Sequence, residues 1–92
     1  MKLAIFQRST SETRPDAHVI AVSVPGGLID YCNKHQAQHI MEKVGMTLNS
    51  GISNITIDFG NQGYHQATHE YARQLVNDLQ FALQEWANYV NG

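Results

Sequence analysis

Four of the five histidines fall into two pairs, His35 with His39 and His65 with His69, each spaced four residues apart. On a helix that spacing places two imidazoles on one face within ~6 Å of each other, near enough to share a metal ion. Cys32 adds a thiol three residues before His35. At 3.6 residues per turn, Cys32, His35 and His39 span roughly 60° of helix arc. The apolar stripe of the same segment lies nearly opposite, so the trio is expected to face solvent or a partner. A Cys-His-His face suits Zn²⁺ or Ni²⁺, with a fourth ligand from elsewhere such as His65 or His69. These residue types are equally at home on a solvated helix surface. No C-x-x-C accompanies them, and His69-Glu70 does not begin an H-E-x-x-H motif because Arg73 stands where the second histidine belongs.

Other chemistry is less well furnished. Cys32 with His35 suggests a thiolate–imidazole pair, but neither an oxyanion site nor an orienting third group is identifiable. Pro25-Gly26-Gly27 follows a strand pattern, and a turn there could cradle phosphate on free N–H groups at a helix start. It lacks the Lys-Ser/Thr of a nucleotide-binding loop, and Asp30 follows, which repels phosphate. The acidic residues Glu12, Asp16, Asp30, Glu42, Asp58, Glu70, Asp78 and Glu85 are dispersed, so no acid–base pair stands out. An enzyme is not the expected reading.

The elements that must position these residues follow from hydrophobic periodicity. Residues 2–8 read as a strand, 9–16 as a polar loop containing Pro15, and 18–24 as a strand apolar on both sides, the pattern of a central strand. Residues 28–45 read as a helix with Asp30 or Asn33 as N-cap, Asn33 with Gln36 fitting a capping box, and Gly45 at the C-terminal stop. Its core side is Ile29, Ala37, Ile40, Met41 and Val44. Residues 46–51 read as a turn or short strand near Thr47. In 52–59, Ile55, Ile57 and Phe59 alternate with Asn54, Thr56 and Asp58, which is a half-buried strand. After the break at 60–63, residues 65–90 carry Ala72, Leu75, Val76, Leu79, Ala82, Leu83, Trp86 and Val90 at helical spacing. The expected fold is one α+β domain over 1–92, in β-β-α-β-α order, with two helices on one face of a small, mostly antiparallel sheet.

The final helix points to association. About 25 residues span roughly 37 Å, whereas strands of six to eight residues span roughly 20–26 Å. One end is therefore expected to overhang, carrying Trp86, Tyr89 and Val90 in need of cover. Phe81 sits on the polar side among Asn77, Asp78, Gln84 and Glu85, as an interface anchor with a polar rim does. These four residues are the expected protein-binding set.

Composition limits the partners. Of 92 residues, 42% are hydrophobic and 15% charged, a folded composition. Net charge is −2 and the six Lys and Arg are scattered, so a clustered phosphate-binding surface for nucleic acid is not expected. No stretch approaches the ~20 apolar residues of a membrane span. A single cysteine excludes an intrachain disulfide, and the N-terminal apolar run is too short for a secretory signal. The expectation is a cytoplasmic, non-enzymatic protein that binds another protein or itself as a homodimer and needs no cofactor. A small bacterial accessory protein, of the sort carried by phages or mobile elements, is the expected setting. The alternative is a Zn or Ni domain built on Cys32, His35, His39, His65 and His69.

Overall fold

The computed structural model of the chain describes residues 1–8 and 18–91; the loop expected over 9–16 and the terminal Gly92 lie outside them. The described residues form β1 (Ala4–Gln7), β2 (Val19–Val24), β3 (Leu28–Cys32), α1 (Lys34–Asn49), β4 (Ile55–Asp58), a single 3₁₀ turn (Gly60–Gln62), β5 (Tyr64–Ala67) and α2 (His69–Asn91). The fold is α+β, as the alternation of patterns predicts, but with two antiparallel sheets instead of one: β1-β2-β3 and β4-β5.

Two strands occupy places where the sequence favours helix or turn. Leu28–Cys32 is not the start of a helix. Gly26 and Gly27 adopt φ of 99° and 91°, a region open to glycine and strained for other residues. They fold the chain back so that Leu28 pairs with Val24 and Cys32 with Ile20. Leu28, Ile29, Tyr31 and Cys32 then complete a hairpin, and α1 begins only at Lys34. Its N-cap is Asn33, and the capping box with Gln36 is present as the spacing predicts: Gln36 N–H donates to Asn33 Oδ1 at 2.8 Å, and Asn33 N–H to Gln36 Oε1 at 3.0 Å.

Gly45 does not stop α1. The helix runs on to Asn49, absorbing the expected turn or strand near Thr47. Leu48, four residues after the buried Val44, packs against the core and extends the apolar stripe; that burial outweighs the ~1 kcal/mol a mid-helix glycine costs. A second reversal, at Gly63 with φ 76°, brings Tyr64–Ala67 back against β4, with Ile57 opposite His65 and Ile55 opposite Ala67. Consequently α2 starts at His69, not His65. The Thr68 hydroxyl accepts Tyr71 N–H at 3.1 Å in its first turn.

Among the described residues the buried apolar side chains form a single cluster. From the three-stranded sheet it takes Ala4, Ile20, Val22, Val24 and Cys32; from the hairpin at β4 it takes Ile55, Ile57 and Phe59. Ala37, Ile40 and Val44 of α1, and Ala72, Leu75, Leu79, Ala82 and Trp86 of α2, close it from the helical side. Two hydrogen bonds tie the N-terminal segment to α2. Leu3 N–H donates to the buried Asp78 carboxylate at 2.7 Å, and the Gln74 side-chain amide donates to Met1 O. The Tyr71 hydroxyl donates to Ser23 O, fixing α2 to the end of β2. Among the described residues no helix is long and apolar enough to cross a membrane.

Candidate functional site

The tip of α2 carries the expected protein-binding residues, and much of their cover comes from the same chain. Trp86 is only 8% exposed. Its ring lies 5.3 Å from that of Phe6 and 5.9 Å from that of His18. Tyr89 packs on His18 at 5.2 Å and on Phe6 at 6.0 Å, with the Arg8 guanidinium 5.1 Å above its ring. Phe81 is half exposed, as its place among polar neighbours predicts, but Lys2 Nζ stands 3.8 Å from its ring centre. The overhang expected from length is therefore corrected for Trp86: β1 and the start of β2 reach under the end of α2. Tyr89 and Val90 remain substantially exposed. The fifth histidine, His18, carries no spacing signal and is the residue that completes this aromatic cluster.

The five expected metal-ligating residues separate into two groups. Cys32 is on β3, not on the helix, and points inward with 1% exposure. The prediction that it shares a solvent-facing helical arc with His35 and His39 fails because the hairpin rotates it to the inner sheet face. The three still line one pocket of about 250 Å³ between β3, α1 and the 3₁₀ turn, together with Asp30, Ile40, Asp58 and Phe59. His65 and His69 do not share a helix, since one is on β5 and the other begins α2. Their Nε2 atoms lie 2.7 Å from Gln62 O and 3.2 Å from Ser53 O. A carbonyl can only accept, so both Nε2 atoms carry the proton. Among the described residues no three His, Cys, Asp or Glu side chains gather closely enough to hold a metal ion.

Within the pocket the Cys32 thiol donates to Asp30 Oδ2 at 3.3 Å. Burial, then the hydrogen bond and the charge of Asp30, push the thiol up to about 12, so it is a neutral S–H near pH 7 and not an activated nucleophile. A second pocket of about 290 Å³ adjoins the first, sharing His39, Ile40 and Asp58 with it and continuing along α1 past Lys43 and Thr47 to Tyr64. Asp30 carries no sequence signal of its burial; read as an N-cap candidate, it proves to be an inner-face strand residue.

Among the described residues the outer face of β1-β2-β3 is an uncovered, mostly apolar surface. Alternation sends Ile5 of β1, Val19, Ala21 and Ser23 of β2, and Ile29 and Tyr31 of β3 to the side away from the helices. The register sets Ile5, Ala21 and Tyr31 in one row across the sheet, with Ser23 beside Ile29 on one flank and Val19 beside Gln7 on the other. Ile5, Ile29 and Tyr31 are each about half exposed, and no charged side chain interrupts the row. The doubly apolar pattern of 18–24 does mark the central strand. What the pattern leaves open is whether anything covers the second face, and within the described chain nothing does.

These features describe a small α+β domain with an open, uncharged sheet face and a groove beside α1. Compared with known protein families, curated proteins and solved structures, the chain matches none.

Proposed function

We propose that this chain is a cytoplasmic, non-enzymatic protein-binding domain whose partner is a second copy of itself, met through the outer face of β1-β2-β3. The observation that carries the reading is β2: its inner face is Ile20, Val22 and Val24, its outer face is Val19 and Ala21 with Ser23, and the helices cover only the inner one. An exposed apolar patch with a polar surround is characteristic of interaction sites. A second copy is favoured over an unlike partner by charge. The Ile5–Ala21–Tyr31 row and its flanks hold no Asp, Glu, Lys, Arg or His, so two such faces meet without opposing like charges, and a net charge of −2 adds little repulsion. The neutral Cys32 thiol supports a role other than nucleophilic catalysis.

The size of the patch sets the strength. Strands spaced ~4.8 Å apart with ~3.3 Å per residue give three strands a face of roughly 15 by 18 Å. A stable interface buries roughly 800 Å² per partner, so this face supports a weak dimer, with a Kd on the order of 10–100 μM. Sedimentation equilibrium from about 10 μM to about 1 mM tests it. Wild type should pass from monomer to dimer over that range, while Tyr31→Lys and Ala21→Glu stay monomeric with unchanged circular dichroism. A wild-type monomer at the highest concentration would overturn the proposal. So would dimers that survive both substitutions but vanish in Phe81→Ala, which would move the interface to α2.

A further inference from the structure

Among the described residues two carboxylates are buried, and they are satisfied very differently. Asp78 accepts the Leu3 backbone N–H at 2.7 Å and the Gln74 amide at 3.5 Å. Among the described residues Asp30, 6% exposed, accepts only the Cys32 thiol, at 3.3 Å. An ionised carboxylate offers about four lone-pair sites, and a thiol is a weak donor for one of them. Leaving a buried carboxylate so thinly hydrogen-bonded is costly. Asp30 does not sit in solid core, however. It forms part of the wall of the pocket of about 250 Å³, where Ile40 and Phe59 are buried apolar neighbours and His35, His39 and Asp58 are exposed at the margin.

We propose that this pocket binds a small organic ammonium ion, its N–H groups donating to Asp30 and its apolar body lying against Ile40 and Phe59. The ligand supplies donors that the other described residues do not bring to Asp30. A charge-assisted N–H···O⁻ bond in a partly dry site is among the stronger hydrogen bonds available. Asp58 at the margin adds a second negative group that favours a cation over an anion. A metal ion is the less suitable occupant. Cys32 would have to ligate as thiolate, and with the thiol held up to about 12, proton competition at pH 7 weakens such binding. No third donor is gathered to offset that loss among the described residues.

Benzylamine is a suitable probe, with benzyl alcohol as its neutral counterpart of equal size. At the binding efficiency of a small fragment, the expected Kd for benzylamine is on the order of 1 mM. In ¹H–¹⁵N correlation spectra at pH 7.5, benzylamine should produce saturable shifts at the amides of Asp30, Cys32, Gln36 and Gly60. Benzyl alcohol should bind at least about tenfold more weakly, and Asp30→Asn should lose the benzylamine response. Failure of benzylamine to saturate by about 50 mM would overturn the inference, as would equal binding of the alcohol or an unchanged response in Asp30→Asn. If Asp30→Asn does not fold, the comparison of amine with alcohol on wild type decides alone. Zn²⁺ binding tighter than benzylamine and abolished by Cys32→Ser would also overturn it, by assigning the pocket to metal. The outcome is independent of self-association, because none of these residues lies on the outer sheet face.

Discussion

Cys32 and Tyr71 are both held in their neutral forms. Burial pushes the Tyr71 phenol up to about 12, and burial together with Asp30 does the same for the Cys32 thiol. For an acid whose folded pKa exceeds its unfolded value, the folded state holds the proton more tightly. The associated stability is fully present below the unfolded values, about 9 for the thiol and about 10 for the phenol, and is lost as pH rises toward 12. The urea midpoint should therefore be flat below about pH 9 and fall above it, and the fall should be shallower in a Cys32→Ala, Tyr71→Phe double variant. A profile equally steep in the double variant would show that other groups govern alkaline unfolding. Alkylation of Cys32 by iodoacetamide at pH 8 should be at least about 100-fold slower in native protein than in urea, because both access and thiolate are scarce. Asp78 offers a different test. Asp78→Ala removes the acceptor for Leu3 N–H at 2.7 Å and should cost about 2–3 kcal/mol in urea denaturation. The partners are partly local, since Asp30 and Cys32 are two apart on one strand and Gln74 and Asp78 one turn apart on α2, but the burial of all three comes from segments packed against them by the fold.

At the scale of elements, the two helices contrast in how they are held. α1 starts on a local device, the Asn33–Gln36 capping box, so Asn33→Ala should cost about 1 kcal/mol. α2 is held by packing along the stripe from Ala72 to Trp86. Trp86→Ala, which empties the place between Phe6 and His18, should cost about 3–5 kcal/mol. Phe81→Ala should change stability by less than about 1 kcal/mol, since it loses only a half-exposed ring under Lys2. Chemical denaturation of the two variants side by side checks the contrast, and similar losses in both would refute the assignment of Trp86 to the core and Phe81 to the surface. The stripe of α2, the cap of α1 and the alternation of Ile55, Ile57 and Phe59 are all legible from periodicity because each is a pattern within one segment. β3 and β5 are not. Leu28–Cys32 and Tyr64–Ala67 are short, and each becomes a strand because a glycine at positive φ turns it back along a neighbour that supplies its hydrogen bonds.

For the molecule as a whole, the two sheets and the helix pair share one core, and among the described residues the outer face of β1-β2-β3 and the groove along α1 stay open. If the outer face mediates dimerisation, Tyr31→Lys should leave the urea midpoint at low protein concentration unchanged and remove its rise with concentration, which reflects mass action on the folded dimer. A concentration-dependent midpoint in Tyr31→Lys would place the contact elsewhere. By itself the sequence determined the α+β class, the central position of 18–24, the core stripe of α2 and the capped start of α1. These depend on side-chain order within a segment, which backbone geometry converts directly into faces. Tertiary structure alone decided that Cys32 lies on an inward-facing strand and not on the helix, that His65 and His69 fall on different elements, that Trp86 finds shelter under β1, and that no described element covers the outer sheet face. Each of these depends on which segments meet across long stretches of chain, and no periodicity within a segment encodes its neighbour.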